Sequence, residues 1–168
     1  TVLEAVIRAA ERGVKCRILV DALGARPWLK GKQPRRLRRA GVQVQAALPV
    51  GLLRGLLGRT DLRLHRKIVV IDDRLAWTGS MNLVDPRVFK QSAGVGEWVD
   101  AMVRLQGAVV APLGTTLLGD WMLETGTPFK ELAESAGLHG VVPRGTADIQ
   151  VVPSGPGESG DGLLQMIL

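Results

Sequence analysis

Two polar residues, His65 and Lys67, stand one position apart at the start of the apolar run Ile68–Ile71, and Gly-Ser-x-Asn follows at 79–82. An ammonium group, a hydroxyl and an amide can bind the oxygens of a phosphodiester. An imidazole can attack phosphorus in its neutral form or, when protonated, donate a proton to a leaving alcohol. Gly79 lets the backbone approach a ligand closely. These residue types therefore predict chemistry on a phosphodiester.

The elements around these residues are predicted to be the two strands of a hairpin. The β-branched residues of 64–71 favour a strand, in which side chains alternate, so His65 and Lys67 share one face. Asp72 has the opposite parity and begins a turn, so we interpret it as a structural residue that holds this turn. Residues 75–78 then return as the second strand.

The register of this hairpin follows from where its turn is centred. A turn centred on Asp73 places Lys67 opposite Gly79 and His65 opposite Met81. The end of the second strand thus returns beside the start of the first. The groups that gather there belong to His65, Lys67, Ser80 and Asn82.

The same residues resemble the phospholipase D superfamily. Its pattern of His-x-Lys, four residues, Asp, six residues and Gly-Ser-x-Asn is complete in "HRKIVVIDDRLAWTGSMN". Six fixed residue types at fixed spacing form a specific signal. The flanking "GSMNLVDPRVFKQSAGVGEWVDAMVRLQG", "GDWMLETG" and "VVPSGPGE" resemble, more narrowly, the bacterial cardiolipin synthases. This resemblance runs over essentially the whole chain.

The resemblance implies a role for each residue of the motif. His65 is the catalytic histidine, which attacks phosphorus or protonates the leaving group. Lys67 and Asn82 bind phosphate, and Ser80 assists them. Asp100 resembles the acidic residue that orients a catalytic histidine, although a surface carboxylate would fit the sequence equally well. The family needs no metal and no other cofactor.

The function implied is phosphatidyl transfer, which joins two phosphatidylglycerols into cardiolipin and glycerol through a phosphohistidine intermediate. The implied partners are anionic phospholipid and the membrane surface, with nucleic acid less favoured, and the implied location is the cell membrane. Two alternatives stay open. One is a homodimeric phosphodiesterase, either a phospholipase D or a nuclease. The other is a non-catalytic module that binds anionic membranes.

The superfamily builds its site from two such motifs, and only one is visible here. His139 is followed at position 141 by valine instead of lysine, so it does not begin a second copy. The second half is expected either in the same longer chain or from a second copy of this one. The unfinished C-terminal sequence favours a longer chain, so this polypeptide is expected to hold half a site and to have little activity alone.

The order of helical and strand patterns predicts an α/β fold, a phospholipase D-like half with a mixed β-sheet flanked by helices in an incomplete bilobal architecture. Predicted helices are 1–13, 33–40, 112–124 and 127–137, and predicted strands are 14–21, 42–49, 97–105 and one starting at 149. We expect a first catalytic half at 1–138, a linker at 139–147, and the opening strand and helix of a truncated second half at 148–168.

Composition limits the classes of protein that fit. A net charge of +6 and a pI near 10.2 favour an anionic partner. No apolar run is long enough to span a bilayer. Cys16 is the only cysteine, so an internal disulfide is excluded, and it is expected to lie in the core.

Two further segments have two interpretations each. The basic run at 30–39 is either a solvated helix face or a contact for anionic headgroups. The Leu/Arg segment at 51–59 is either ordinary core or a loop at the bilayer interface. The basic run comprises Lys30, Lys32, Arg35, Arg36, Arg38 and Arg39.

Overall fold

The computed structural model describes residues 1–48, 63–85, 94, 98–137 and 143–154. Over these residues the chain is a mixed α/β protein, as predicted. Its elements, in order, are α1 (Val2–Glu11), β1 (Arg17–Asp21), α2 (Arg26–Leu29), α3 (Lys32–Arg39), β2 (Gln43–Ala47), β3 (Ile68–Ile71), β4 (Leu75–Gly79), β5 (Met102–Gln106), α4 (Val110–Thr125) and α5 (Phe129–Ala136).

The described residues form two compact units. The first unit takes its residues from 1–65, 118–136 and 153–168, and the second from 66–117 and 137–152. The boundary in the motif falls directly after His65, so His65 ends a segment of the first unit and Lys67 lies in the second. Each unit has its own cluster of buried apolar side chains.

The first unit is built on β1 and β2, which pair in parallel from Arg17↔Gln43 to Asp21↔Ala47. A parallel pair needs a crossover, and α2 and α3 supply it. Leu37 of α3 is fully buried and packs with Val42 and Val44 of the strand segment that follows. Burial of these side chains holds α3 on the sheet and leaves its basic side chains on the outside.

Helix α1 packs against the same core through side chains at helical spacing. The residues in contact include Leu3, Val6, Ile7 and Ala10, which recur every three or four positions. At the start of the helix, the Glu4 backbone N–H donates to the Thr1 hydroxyl at 3.4 Å. The apolar stripe that predicted this helix is therefore the face it buries. Cys16 also packs against this cluster, as expected for a small core residue.

Arg17 connects β1 to the two C-terminal helices of the first unit. Its guanidinium donates to the Ser135 hydroxyl of α5 at 2.6 Å and to the Gln43 side chain at 3.0 Å. The same group lies 5.9 Å from the centroid of the Trp121 ring of α4. One charged side chain thus contacts a strand and two helices that lie far apart in the chain.

The second unit is an antiparallel sheet of three strands in the order β3-β4-β5. Its core cluster consists of Ala76, Val110 and Leu113, with Ile68, Val70, Leu105 and Val151 packed around it. Val69 and Ile71, which alternate with Ile68 and Val70, are each 46% exposed. Because side chains alternate along β3, one face of the strand packs on the first turn of α4, and the other face stays accessible to solvent.

The sequence-based elements agree with the structure to within three residues, except that β3 and β5 start at Ile68 and Met102 rather than at 64 and 97. Two other predictions need correction. Residues 26–29 form the short helix α2, whose first turn contains Pro27, although the sequence "ALGARP" at 22–27 suggests a loop. The strand predicted to start at Ile149 is wrong, because 148–154 form no strand and Val151 instead packs against the core of the second unit. The predicted domain limits stay a prediction. The segment 51–59, Glu97, part of the linker at 139–147 and the tail at 155–168 lie outside the described residues.

Candidate functional site

The hairpin of β3 and β4 has the predicted register. Ile68 pairs with Thr78, and Ile71 pairs with Leu75, so the ladder is centred on Asp73. The next pair beyond the ladder in this register is Lys67 with Gly79. The structure therefore confirms the hairpin that brings the Gly-Ser-x-Asn segment back toward the start of β3.

Two aspartates form the turn of this hairpin, and both have a φ of 52°. Positive φ at consecutive turn positions is tolerated best by Asp, Asn and Gly, which explains the residue types found here. The Arg74 N–H donates to the Ile71 carbonyl at 3.0 Å and closes the turn. Asp72 lies in the turn, as predicted, with an exposed side chain. Asp73 is the buried member, at 4% exposure, which sequence parity did not indicate.

The strand β3 is shorter than predicted. It begins at Ile68 rather than at residue 64, so His65 and Lys67 precede the strand instead of lying in it. The physical reason is visible at Leu64, whose backbone N–H donates to the Asp21 carboxylate at 3.0 Å rather than to a neighbouring strand. The His65 side chain is exposed and the Lys67 side chain is half-buried.

Ser80 and Asp100 are in direct contact at the end of the sheet. The Ser80 hydroxyl donates to Asp100 Oδ1 at 2.7 Å and accepts from the Ala101 N–H at 3.0 Å. The Ser80 N–H also donates to the Ala101 carbonyl at 2.9 Å. Because a hydroxyl has one proton, phosphate can receive a hydrogen bond from Ser80 only if Asp100 releases it. In this structure Ser80 therefore fastens the end of β4 to the residues before β5.

Gly79 occupies a position where the second unit has no room for a side chain. A Cβ built there would collide with the Ala101 carbonyl oxygen and lie 2.8 Å from Met102 Sδ and 2.9 Å from Met102 Cα. The close approach of β5 therefore requires glycine at this position, whether or not a ligand is bound. Asn82, three residues on, has an exposed side chain.

The structure thus brings together four of the seven predicted site residues in the second unit. Lys67 and Gly79 are neighbours in register, and Ser80 and Asp100 share a hydrogen bond. Asp72 lies in the turn at the other end of the same hairpin. The approach of His65 to Ser80 and Asn82, and the orientation of His65 by Asp100, stay predictions. The residues gathered by register or contact are Lys67, Gly79, Ser80 and Asp100, and a place for Asn82 beside them stays a prediction.

Sequence reasoning did not identify Asp21, which ends β1. Its Oδ2 accepts from the Gly24 N–H at 2.6 Å and from Arg63 Nε at 2.8 Å, and Arg63 Nη2 lies 2.7 Å away. Its Oδ1 accepts the Leu64 N–H described above. The only local signal was an Asp at the end of an apolar strand with a glycine three positions later. We name Asp21, Gly24, Arg63 and Leu64 the Asp21 clamp.

The surroundings of Asp21 lower its pKa. Burial would by itself raise the pKa of this carboxyl, but hydrogen bonds from Arg63, Gly24 and Leu64, with the charge of Arg63, outweigh burial. The pKa therefore lies below its ordinary value of 3.8. A lowered pKa means that the folded state favours the ionised carboxylate over the protonated one more strongly than the unfolded state does.

This shift predicts a specific pH dependence of stability. The contribution of Asp21 to the free energy of unfolding is fully present above the unfolded pKa and is lost as pH falls through the lower, folded pKa. We expect Asp21→Asn to destabilise the protein equally at pH 7 and pH 5, and progressively less below about pH 4. Urea unfolding at several pH values measures this difference. Glu11→Gln, at an exposed carboxylate of the same unit, is the control, and a penalty for Asp21→Asn that does not shrink in acid would contradict the prediction.

Among the residues described, no group of three or more His, Cys, Asp or Glu side chains could hold a metal ion. No helix within the described ranges is long and apolar enough to cross a membrane.

Comparison with known proteins places the chain in a family. The family described as "cardiolipin synthase, PLD-like domain" matches residues 1–93, which include the whole motif. Cardiolipin synthase A of Proteus mirabilis is 47% identical over 93% of this chain and 32% of its own length. The proteins of the same name from Pectobacterium atrosepticum and Erwinia tasmaniensis are 44% and 46% identical over 99% of this chain and 34% of theirs.

These matches cover most of this chain but only part of each relative. The chain spans about a third of the length of each of these curated relatives. No solved structure matches it significantly. The family match covers more than half of the chain and agrees with the α/β fold and with the hairpin register that the motif predicted, so this chain belongs to the cardiolipin synthase, PLD-like domain family.

Proposed function

We propose that this chain provides one phosphate-binding half of a cardiolipin synthase, which transfers a phosphatidyl group from one phosphatidylglycerol to another and releases glycerol. The observation that carries the proposal is the register of the β3–β4 hairpin. The next pair beyond Ile68 and Thr78 in this register is Lys67 with Gly79, which supports a phosphate site where the Gly-Ser-x-Asn segment returns to the start of β3. A cation and an amide at a strand end suit a phosphodiester that carries one negative charge.

In the proposed reaction, His65 acts on the phosphodiester of the donor lipid. As nucleophile, its imidazole forms a bond to phosphorus while the bond from phosphorus to the oxygen of the headgroup glycerol breaks. The leaving oxygen then takes a proton and departs as glycerol. A hydroxyl of the second phosphatidylglycerol next attacks phosphorus, gives up its proton and displaces His65. One imidazole cannot attack and protonate in the same step, so a second acid–base group is needed.

That second group is proposed to come from a second half-site, either in the same longer chain or in a second copy. Lys67 and Asn82 bind the non-bridging oxygens and offset the charge that grows on them in the transition state. Ser80 supports this arrangement through its bonds to Ala101 and Asp100. Phosphatidylglycerol supplies both the donor and the acceptor in this scheme.

A chimera tests the proposal directly. This chain would replace the matching third of cardiolipin synthase A from Proteus mirabilis, to which it is 47% identical. The chimera would be incubated with vesicles of phosphatidylglycerol, and cardiolipin and free glycerol would be measured. We expect equal amounts of the two products. A folded chimera that releases phosphatidic acid without cardiolipin would contradict transfer, because water would then be the acceptor.

A second assay, with DNA as the substrate, distinguishes the proposed transferase from a nuclease. Single- and double-stranded DNA would be offered to the chimera and to the unmodified chain at several concentrations. A homodimeric nuclease predicts cleavage of DNA that rises with the square of chain concentration at low concentration. Cleavage of DNA without cardiolipin formation would replace the transferase by this alternative.

The basic surface of the first unit supports a membrane surface as the proposed partner. Residues 1–48 contain eleven basic and three acidic residues, whereas the rest of the chain is slightly acidic. Helix α3 buries Pro34 and Leu37 and exposes all four of its arginines. An anionic bilayer attracts each nearby basic residue by about 1 kcal/mol.

We expect the double substitution Arg35→Glu and Arg39→Glu to weaken binding to phosphatidylglycerol vesicles by about thirtyfold or more at low salt. Arg36 and Arg38 are left in place because Arg36 pairs with Glu4 at 2.9 Å and Arg38 donates to the Val44 carbonyl. Co-sedimentation with the vesicles measures the change. The control, Arg74→Glu with Lys130→Glu, alters net charge equally at exposed sites outside α3, and an equal loss of binding in this control would refute a localised surface.

A further inference from the structure

We propose that Asp21 is a positioning residue for His65, because its carboxylate binds the two residues that precede the histidine and thereby fixes the direction in which the imidazole leaves the backbone. The inference rests on the proposed function, in which His65 reacts with phosphate. It deepens that function by assigning a role to a residue outside the His-x-Lys motif.

The first support is the number of donors that converge on one carboxylate. The Asp21 side chain is only 13% exposed and accepts from two backbone N–H groups and from one guanidinium. Hydrogen bonds to an ionised acceptor are short and strong. An isolated surface ion pair would contribute little, but here the pair between Asp21 and Arg63 is one part of a multiply bonded carboxylate.

The second support is the location of the donors along the chain. Arg63 binds through its side chain and Leu64 through its backbone N–H, so two consecutive residues are attached to the end of β1. Attachment at two adjacent points restricts the backbone torsions between them. The next peptide carries His65, whose Cα–Cβ bond direction follows from those torsions. Catalysis is sensitive to such placement, since an error of about 1 Å can cost about a hundredfold in rate.

Gly24 provides the third support, because it makes room for the guanidinium. A Cβ at this position would lie 2.8 Å from Arg63 Nη2 and 3.0 Å from Asp21 Oδ2. A side chain here would have to displace the end of Arg63. Close packing at Gly24, in the β1–α2 loop, therefore restrains the Asp21 clamp in addition to its hydrogen bonds.

The chain contains two histidines, which permits a clean spectroscopic test. In a His139→Gln background, His65 is the only histidine, and its imidazole Cε1–H gives a single NMR signal. Two variants alter the Asp21 clamp without changing His65. Asp21→Asn replaces the carboxylate with a group that keeps one acceptor, and Arg63→Gln removes the guanidinium. Glu11→Gln is the matched control at an exposed carboxylate of the same unit.

Amide hydrogen exchange and the His65 signal would be recorded for each variant at pH 7. We expect the Leu64 amide to exchange roughly 10- to 100-fold faster in Asp21→Asn, because it loses a bond to a charged acceptor. Arg63→Gln should give a smaller increase. In both variants the His65 signal should shift or broaden, while the amides of Val20 and Gln45 in the β1–β2 pair keep their protection.

Two results would overturn the inference. The first is an unchanged His65 signal in a folded Asp21→Asn protein whose Leu64 amide has lost protection. The second is an equal loss of protection at Leu64, Val20 and Gln45 in both variants, which would mean that Asp21 only stabilises the unit as a whole. If Asp21→Asn does not fold, Arg63→Gln decides between these results by the same criteria.

The chimera adds a kinetic test. Because the proposed role of Asp21 is to position His65 and not to bind phosphate, Asp21→Asn is expected to lower kcat by about tenfold to a hundredfold with little change in KM. A change in KM alone would argue against positioning of His65. An inactive parent chimera would contradict the proposed function only, since the exchange and NMR measurements on the chain do not depend on turnover.

Discussion

Replacement of His65 by alanine is expected to lower the rate of cardiolipin formation by the chimera at least about a thousandfold. The substitution removes the atom that forms the bond to phosphorus, or the proton that the leaving glycerol needs, and neither can be supplied by alanine. The measurement is the initial rate with phosphatidylglycerol vesicles. His139→Ala is the control, because this histidine lies in no His-x-Lys pattern, and it should retain the parent rate.

Lys67→Ala separates the role of His65 from that of phosphate binding. We expect this variant to lose both affinity and rate, because the proposed function has the Lys67 ammonium group bind the non-bridging oxygens in the substrate and in the transition state. The binding-module hypothesis predicts that neither His65→Ala nor Lys67→Ala changes any activity. A folded His65→Ala chimera that forms cardiolipin at the parent rate would end the proposed role of this histidine.

The second large effect is expected at Gly79. Gly79→Ala should destabilise the second unit by about 2–3 kcal/mol, because the new methyl group would overlap the Ala101 carbonyl and the Met102 side chain. Relief of this overlap requires β4 and β5 to separate at the end where Ser80 is bonded to Ala101. Chemical denaturation would give the loss of stability, and amide exchange at Ser80 would locate it.

A matched glycine-to-alanine control exists in α4. A Cβ at Gly119 meets nothing within 4 Å, and Gly119 lies in the interior of the helix. Gly119→Ala is therefore expected to stabilise the protein by about 0.5–1 kcal/mol, the opposite sign. Equal effects of the two substitutions would contradict the steric explanation at Gly79. A fully stable Gly79→Ala protein with normal Ser80 protection would do so as well.

The sequence was most informative where structure is local and periodic. The alternation in β3 and the aspartates of the turn were enough to predict the hairpin register centred on Asp73, and the ladder from Ile68↔Thr78 to Ile71↔Leu75 confirms it. The helical spacing of Leu3, Val6, Ile7 and Ala10 likewise predicted α1. These features depend on contacts between residues close in the chain, so a pattern in the sequence can encode them.

Tertiary structure decided which polar groups are bonded to one another. No pattern in the sequence indicated that the Ser80 hydroxyl donates to Asp100, twenty positions away. It also predicted a strand from residue 64, whereas Asp21 binds the Leu64 N–H from 43 positions away and β3 starts only at Ile68. A carboxylate binds any donor that the fold brings to it, and its partner has no fixed offset in the sequence.

By itself, therefore, the sequence determined the family, the α/β class and the hairpin that carries Lys67 and Gly79. Only the tertiary structure determined that glycine at position 79 is required by the neighbouring strand and that the residues before His65 are bonded to Asp21. The physical reason is that hydrophobic periodicity specifies elements, whereas the packing of distant segments specifies which donors, acceptors and close approaches meet.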